Sequence, residues 1–210
     1  MRTLQPLFEP TTLQIDSPQA RLFLTFPVTE ADDADMLRCM TAVAATKHLP
    51  MVNPNMTLEE MVARRESQAA SGVYKVFKIN NLRTGAFIGY CGFYRMDIGN
   101  FAYDCGLSIL EEFHRSGYAT EALFLVLDHG FIQLGFNRTT FVTNSKNVGM
   151  RGWLENVCGA TLEGTFREAW RDEKVDGWVD CVMYSILRSE WEGGMRDRLL
   201  TKVNKYLVAN

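Results

Sequence analysis

Apolar and polar positions first alternate regularly in "RLFLTFPV" (21–28), which predicts a strand. "TEADDADMLRCMTAV" follows. Thr29 can cap, Asp32 stands three residues on, and the acidic first turn suits a helix N-terminus. "TLEEMVARRESQAA" (57–70) repeats that logic with Thr57 and Glu60, and Gly72 is the expected stop. "YKVFKI" (74–79), "AFIGYCGFYR" (86–95) and "FAYDCGLSIL" (101–110) read as strands. The hairpin-length turns between them predict antiparallel neighbours. Residues 118–134 carry apolar positions over most of one helical side, and Leu134-Gly135 closes that run. A strand over 138–143 and a short helix over 147–157 come next. Two final strands flank "DEKVDG", with Asp180 and Tyr184 at even spacing and so on one face.

Two segments stand outside this run. The first 18 residues, with Pro6, Pro10 and Pro18, predict an irregular lead-in. After Gly193-Gly194, the positions Leu199, Leu200, Val203, Tyr206 and Leu207 predict an amphipathic helix that covers this domain's own sheet or packs on another subunit. The fold class is therefore α/β (α+β), with a mixed, mostly antiparallel sheet, helices on both faces and one βαβ crossover. It comprises one domain over 1–192 and a helical extension over 193–210.

Composition narrows the function. The 210 residues are 47% hydrophobic with net charge -3, which fits a cored domain and gives nucleic acid no basic field to bind. Cys39, Cys91, Cys105, Cys158 and Cys181 are odd in number and form no C-x-x-C pair. No disulfide framework or zinc site is expected, and a reducing compartment is. His48, His114 and His129 form no metal-spaced pair, so no metal is expected. No apolar run approaches the ~18 residues of a membrane span, and "MRTLQPLFEP" has no signal-like apolar region. A cytoplasmic protein with no membrane partner is the expectation.

"HRSGYA" (114–119) is the sharpest local feature. It lies between a strand and a helix, where the first-turn N–H groups lack intrahelical acceptors and the helix dipole adds positive charge. Gly117 and Ala119 are small, and Arg115 is cationic. The stretch is either a diphosphate cradle or an ordinary strand-to-helix corner. Neither a Walker loop nor a G-x-G-x-x-G fingerprint is present.

The motifs taken in order resemble the GNAT superfamily of N-acetyltransferases, in its RimJ/RimL-like branch. "QARLFLTFPVTEADDADML" is similar to the family's opening strand and helix, and "AFIGYCGFYR" to its central hairpin. "YDCGLSILEEFHRSGYATEAL" is similar to its coenzyme A motif, and "LGFNRTTFVTNSKNVGMRGWLENVCGATLEGTFREAW" to the next strand, Asn-led helix and strand. "DGWVDCVMYSILRSEW" is similar to the closing strand, so the resemblance spans roughly 19–192. His114, Met150, Ala160 and a helix end one residue longer than usual depart from the family pattern.

The resemblance implies acetyl-coenzyme A as donor, held in a V-shaped gap between strands 101–110 and 138–143. Leu107, Ser108 and Ile109 would offer backbone to the pantetheine. His114, Arg115, Ser116, Gly117, Tyr118, Ala119 and Thr120 would hold the diphosphate, and Asn147 would touch the cofactor side. Asp104 is the leading base, or else a solvated residue or a partner of Arg95 across the hairpin. Tyr184, Cys158 or water would return a proton to the thiolate. Trp178 and Asp180 would lie near the acceptor, with Asp180 binding the amine or anchoring a loop. Glu121 is a ligand or a dipole-stabilising residue, and Cys105 reads as a packed small hydrophobe rather than a nucleophile. The expected reaction is direct acetyl transfer to a primary amine, either a small molecule or a peptide N-terminus, by a monomer or homodimer. The alternatives are a GNAT-like binding module without turnover, or the same fold acting on a non-acetyl substrate. Residues 44–56 and 166–177 are the expected acceptor loops.

Overall fold

The computed structural model describes residues 7–17, 19–172, 174 and 176–208; Pro6, Pro18, Glu173 and Val175 lie outside the described residues. The strands are β1 (Thr11–Leu13), β2 (Leu22–Phe26), β3 (Lys75–Asn81), β4 (Phe87–Asp97), β5 (Ala102–Ile109), β6 (Arg138–Asn144), β7 (Thr161–Asp172) and β8 (Gly177–Leu187). The helices are α1 (Asp33–Thr41), α2 (Val43–Thr46), α3 (Leu58–Ser71), α4 (Tyr118–Asp128), α5 (Val148–Gly152), α6 (Arg188–Glu190) and α7 (Arg196–Val208). One sheet runs β1-β2-β3-β4-β5-β6-β8-β7. β5 and β6 are parallel, joined through α4, and the other neighbours are antiparallel.

Local signals act as the sequence predicts. Thr57 Oγ1 accepts the Glu60 N–H at 3.2 Å, Glu60 accepts the Thr57 N–H at 2.7 Å, and Gly72 leaves the helix at φ 67°. Helices cover both faces. Met36, Met40 and Met61 of α1 and α3 pack on Phe87 and Tyr90 of β4. The other face carries α4, with Leu154 beyond α5, and Trp191, Leu199, Val203 and Leu207 of the C-terminal segment in the same core. The tail therefore packs on its own domain, against α4 and the segment after α5. Each of those buried side chains contributes about 1.5–3 kcal/mol.

The lead-in departs from expectation. Thr11, Thr12 and Leu13 pair with Phe26, Thr25 and Leu24 of β2. Three residues are too few to show a period, and a distant side chain fixes them. The buried Lys75 of β3 donates from Nζ to the Leu7 carbonyl at 2.8 Å and Thr11 Oγ1 at 3.1 Å. Burial brings its pKa down to about 8.

At the other edge, Arg138 of β6 reaches across β8 to Glu163 of β7, with N–O distances of 2.8 and 2.6 Å. Ser185 of β8 donates to the same carboxylate at 2.5 Å. Arg138 and then Ser185 hold the Glu163 carboxyl at about 2, against an ordinary 4.5. Its stabilisation is complete above the ordinary value and is lost as pH falls through about 2. The pair is about a third exposed, so Glu163→Gln is expected to cost about 1 kcal/mol at neutral pH. In urea denaturation that difference should shrink progressively below pH 4.5; a difference independent of pH would refute the assignment.

Candidate active site

β5 and β6 pair only at Ala102–Arg138, Tyr103–Thr139 and Asp104–Thr140. Beyond that point β5 stays on β4 as far as Ile109–Gly89, and β6 stays on β8 as far as Asn144–Cys181. The two strands part while each keeps its other neighbour, which opens a gap inside a continuous sheet. Antiparallel alternation fixes which backbone groups face it. Leu110 N–H bonds the Ile88 carbonyl at 2.9 Å, whereas the Phe101 carbonyl accepts from Asn137 on the β6 side at 2.7 Å. Odd-numbered residues thus turn toward β6, and past Asp104 these are Cys105, Leu107 and Ile109. Ser108 turns its backbone to Tyr90 instead, and its hydroxyl lies 3.5 Å from Cys39 Sγ.

Asp104 and Thr140 are the last pair before the strands part. The Thr140 hydroxyl donates to one Asp104 carboxylate oxygen, and Arg95 ion-pairs with the other. The pairing of Asp104 with Arg95 across the hairpin is therefore present. Arg95 is 67% exposed, so this contact is easily screened or displaced.

The gap leads into residues 110–118. A single turn at Glu111–Phe113 follows β5, and His114 then folds back so that its Nε2 lies 2.8 Å from the Ile109 carbonyl. A carbonyl only accepts, so Nε2 carries the proton. Arg115 and Gly117 have φ of 60° and 80°, alternating with right-handed or extended neighbours, a backbone form that makes N–H groups converge. A left-handed arginine costs about 1–2 kcal/mol, and such strain persists where surroundings enforce it.

Arg21, one residue before β2, supplies that enforcement. Its Nη1 donates to the Ser116 carbonyl at 2.7 Å, and its guanidinium lies 4.7 Å over the Tyr118 ring. Its backbone N–H and its Nε each donate to Glu121 at 3.1 Å. Glu121 is fully buried. Burial pushes its carboxyl up, and Arg21 pulls it back. Glu121 is thus neither a free dipole-stabilising acid nor an open ligand. Tyr118 and Ala119 pack on the core, and Thr120 accepts from Trp153 Nε1 at 3.1 Å, tying α4 to the segment after α5.

The family model of the acetyltransferase (GNAT) domain matches residues 21–159. The chain belongs to the GNAT acetyltransferase family. It is similar to "Uncharacterized N-acetyltransferase p20" of Bacillus licheniformis, at 27% identity over 81% of this chain and 96% of that one. Its fold is similar to Mycobacterium smegmatis RimJ in complex with CoA-disulfide, with TM-score 0.75, 21% identity, and 92% and 95% of the two chains covered. It is also similar to spermidine N-acetyltransferase from Vibrio cholerae in complex with CoA and spermine, with TM-score 0.74, 16% identity, and 82% and 98% covered. This GNAT enzyme is an acyl-coenzyme A-dependent N-acetyltransferase.

Other residues singled out in the sequence take varied places in this acetyltransferase. Asn147 accepts the Met150 N–H at 3.2 Å and donates to Thr143 Oγ1 at 3.0 Å, so both ends of its amide fix α5 on β6. The extra residue in "WLENVCGA" is absorbed by a wide turn over Trp153–Cys158, where Gly159 N–H reaches back five residues to the Leu154 carbonyl at 2.8 Å. Tyr184 is fully buried, donates to Glu155 and accepts from Arg151 Nε at 3.2 Å. It pairs with Phe141, which lies 6.3 Å from Trp153, so it faces α5, whereas Thr140 and Asp104 face the opposite side. Cys158 is buried against Met195, and burial pushes its thiol up to about 12. Burial likewise pushes the Cys105 thiol well above its ordinary value, which leaves no thiolate there.

On β8, Trp178 is exposed, with the Arg171 guanidinium 5.7 Å from its ring. Asp180 Oδ1 accepts the Glu168 N–H at 2.7 Å where Glu168 takes φ 50°, so this carboxylate anchors the bulge in β7. A cavity of ≈ 420 Å³ opens elsewhere, between β1 and the far end of α4, lined by Glu9, Lys75, Asp128 and His129 among others. Among the described residues no helix is long and apolar enough to cross a membrane.

Arg21, Thr140, Arg151 and Glu155 were not legible as site residues. Arg21 carried only the signal of a charge opening a strand. Replacing it with Met leaves Glu121 buried without its partner, an expected loss of about 3–5 kcal/mol in urea denaturation. The double variant R21M/E121M should recover most of that loss. Additive losses in the double variant would show that the two side chains are not coupled.

Proposed function

We propose that this acetyltransferase moves an acetyl group from acetyl-coenzyme A to a small primary amine by direct transfer in a ternary complex. The observation that supports it most is the parting of β5 and β6 beyond Asp104, with Leu107 and Ile109 presenting backbone to the gap. The pantetheine amides would pair there as an added strand. The diphosphate would lie on the N–H groups of 115–120, and the thioester near Asp104. The bond from Lys174 Nζ to the Thr46 carbonyl, at 2.6 Å, ties the two acceptor loops together. Acceptor loops joined in this way would favour a small amine over a peptide N-terminus. The RimJ/RimL-like resemblance is the argument for the peptide.

An amine arrives protonated, since its pKa is about 10 for an alkyl ammonium and about 8 for an α-amine. The ammonium competes with exposed Arg95 for Asp104, and Asp104 takes its proton through water. The neutral nitrogen attacks the thioester carbonyl, which is polarised by gap-facing N–H groups of Cys105 and Leu107. The C–N bond forms, the C–S bond breaks, and the proton shed by the acylated nitrogen passes through water to the departing thiolate. We assign Tyr184 no step, since its hydroxyl bonds Arg151 and Glu155 on the other face.

Free-thiol release from acetyl-coenzyme A with a panel of amines tests this reading. Asp104→Asn is expected to keep coenzyme A affinity and lose about 100-fold or more in kcat/KM at neutral pH. An unchanged kcat/KM would remove Asp104 from the reaction. A wild-type protein that binds no coenzyme A would sink the reading altogether, and tight binding without thiol release for any amine would favour a binding module.

A further inference from the structure

α7 begins well beyond the stretch that matches the acetyltransferase domain, residues 21–159, yet its last turns reach the loop before α4. A Cβ placed on Gly117 would meet Tyr206 Cγ at 2.6 Å and both Cδ atoms at 2.9 Å, so the Tyr206 ring rests on the Gly117 backbone. The contact is held firmly from α7's side. Leu199, Val203 and Leu207 are buried in the core. Lys202 Nζ donates to the carbonyls of Asn156 and Val157 at 2.8 and 2.7 Å, which fastens α7 to the end of the α5 segment. On its other side the loop is held by Arg21 through the Ser116 carbonyl and the Tyr118 ring. Ser116–Gly117–Tyr118 is therefore gripped between a residue near the start of the domain and one from the last helix.

This grip bears on a backbone that needs support. Gly117 stands at φ 80° at the head of α4, and Arg115 at 60° before it. The direction of the N–H groups in this turn depends on both torsions. A ring seated on the Gly117 Cα restricts how far the turn can relax. Glycine is required there twice over, by the positive φ and by the ring.

We propose that Tyr206 is a positioning residue for the acyl donor: through Gly117 it sets the loop that receives the diphosphate, so that the C-terminal helix is part of the nucleotide end of the donor site. This rests on the proposed placement of the diphosphate. The consequence is specific to donors that carry phosphate. The acetyl and pantetheine portions lie in the gap between β5 and β6, and Tyr206 does not act on them.

The test compares acetyl-coenzyme A with S-acetylpantetheine, which has the same thioester and no diphosphate. For Tyr206→Ala, KM for acetyl-coenzyme A is expected to rise about tenfold, with kcat within about twofold. Its kcat/KM for S-acetylpantetheine should equal that of the wild type. Tyr206→Phe keeps the ring on Gly117 and should restore most of the acetyl-coenzyme A KM. Thermal unfolding checks that each variant is folded. Equal losses with both donors, or no change with either, would overturn the inference while leaving the proposed function standing. Failure of the wild type to bind coenzyme A would overturn the proposed function and this inference with it.

Discussion

The early end of pairing between β5 and β6 is the constraint on which the rest of the site depends. After Asp104–Thr140 the two strands diverge, each still bonded to its outer neighbour. The sheet therefore stays continuous while the backbone of Cys105, Leu107 and Ile109 faces an opening. Buried backbone groups left without partners are costly, so such an opening favours water or an extended ligand that can supply donors and acceptors. His114 already satisfies one of them by bonding the Ile109 carbonyl. His114, one of the residues that depart from the family pattern, thus caps the end of β5 where the strand gives way to the loop.

Two clasps hold this arrangement. At the apex, Asp104 links the parting strands through Thr140 and keeps an exposed Arg95 as its counter-charge. At the mouth, the left-handed turn at Arg115 and Gly117 is fixed by Arg21 and the buried Glu121 on one side and by Tyr206 on the other. The first clasp is polar and partly open, which suits the cation and proton exchange proposed for Asp104. The second is buried or ring-packed, which suits the fixed dipoles that the proposed diphosphate loop would present. Asn147, Tyr184 and Asp180 serve the frame around them: a helix cap, a buried hydroxyl network and a bulge anchor.

What the sequence determined was everything carried by local period and by motif order. The Thr57–Glu60 cap, the stop at Gly72, the three central strands, the closing Leu134-Gly135 and the apolar stripe of α7 need only residues a few positions apart. The succession of motifs was enough to place the chain among the acetyltransferases, and the loop at 114–119 was legible as an anion candidate because strand, glycine and helix adjoin there. What only the tertiary structure decided were contacts with no local signature. Lys75 makes a strand of three residues in the lead-in, and Arg21 reaches Glu121 from 100 positions away. Pairing phase shows which of Leu107, Ser108 and Ile109 face the gap, because a strand's side chains and its hydrogen bonds alternate and sequence alone does not set that phase. Tyr206 looked like one more position on an apolar stripe; packing of α7 against α4 sets its ring on Gly117.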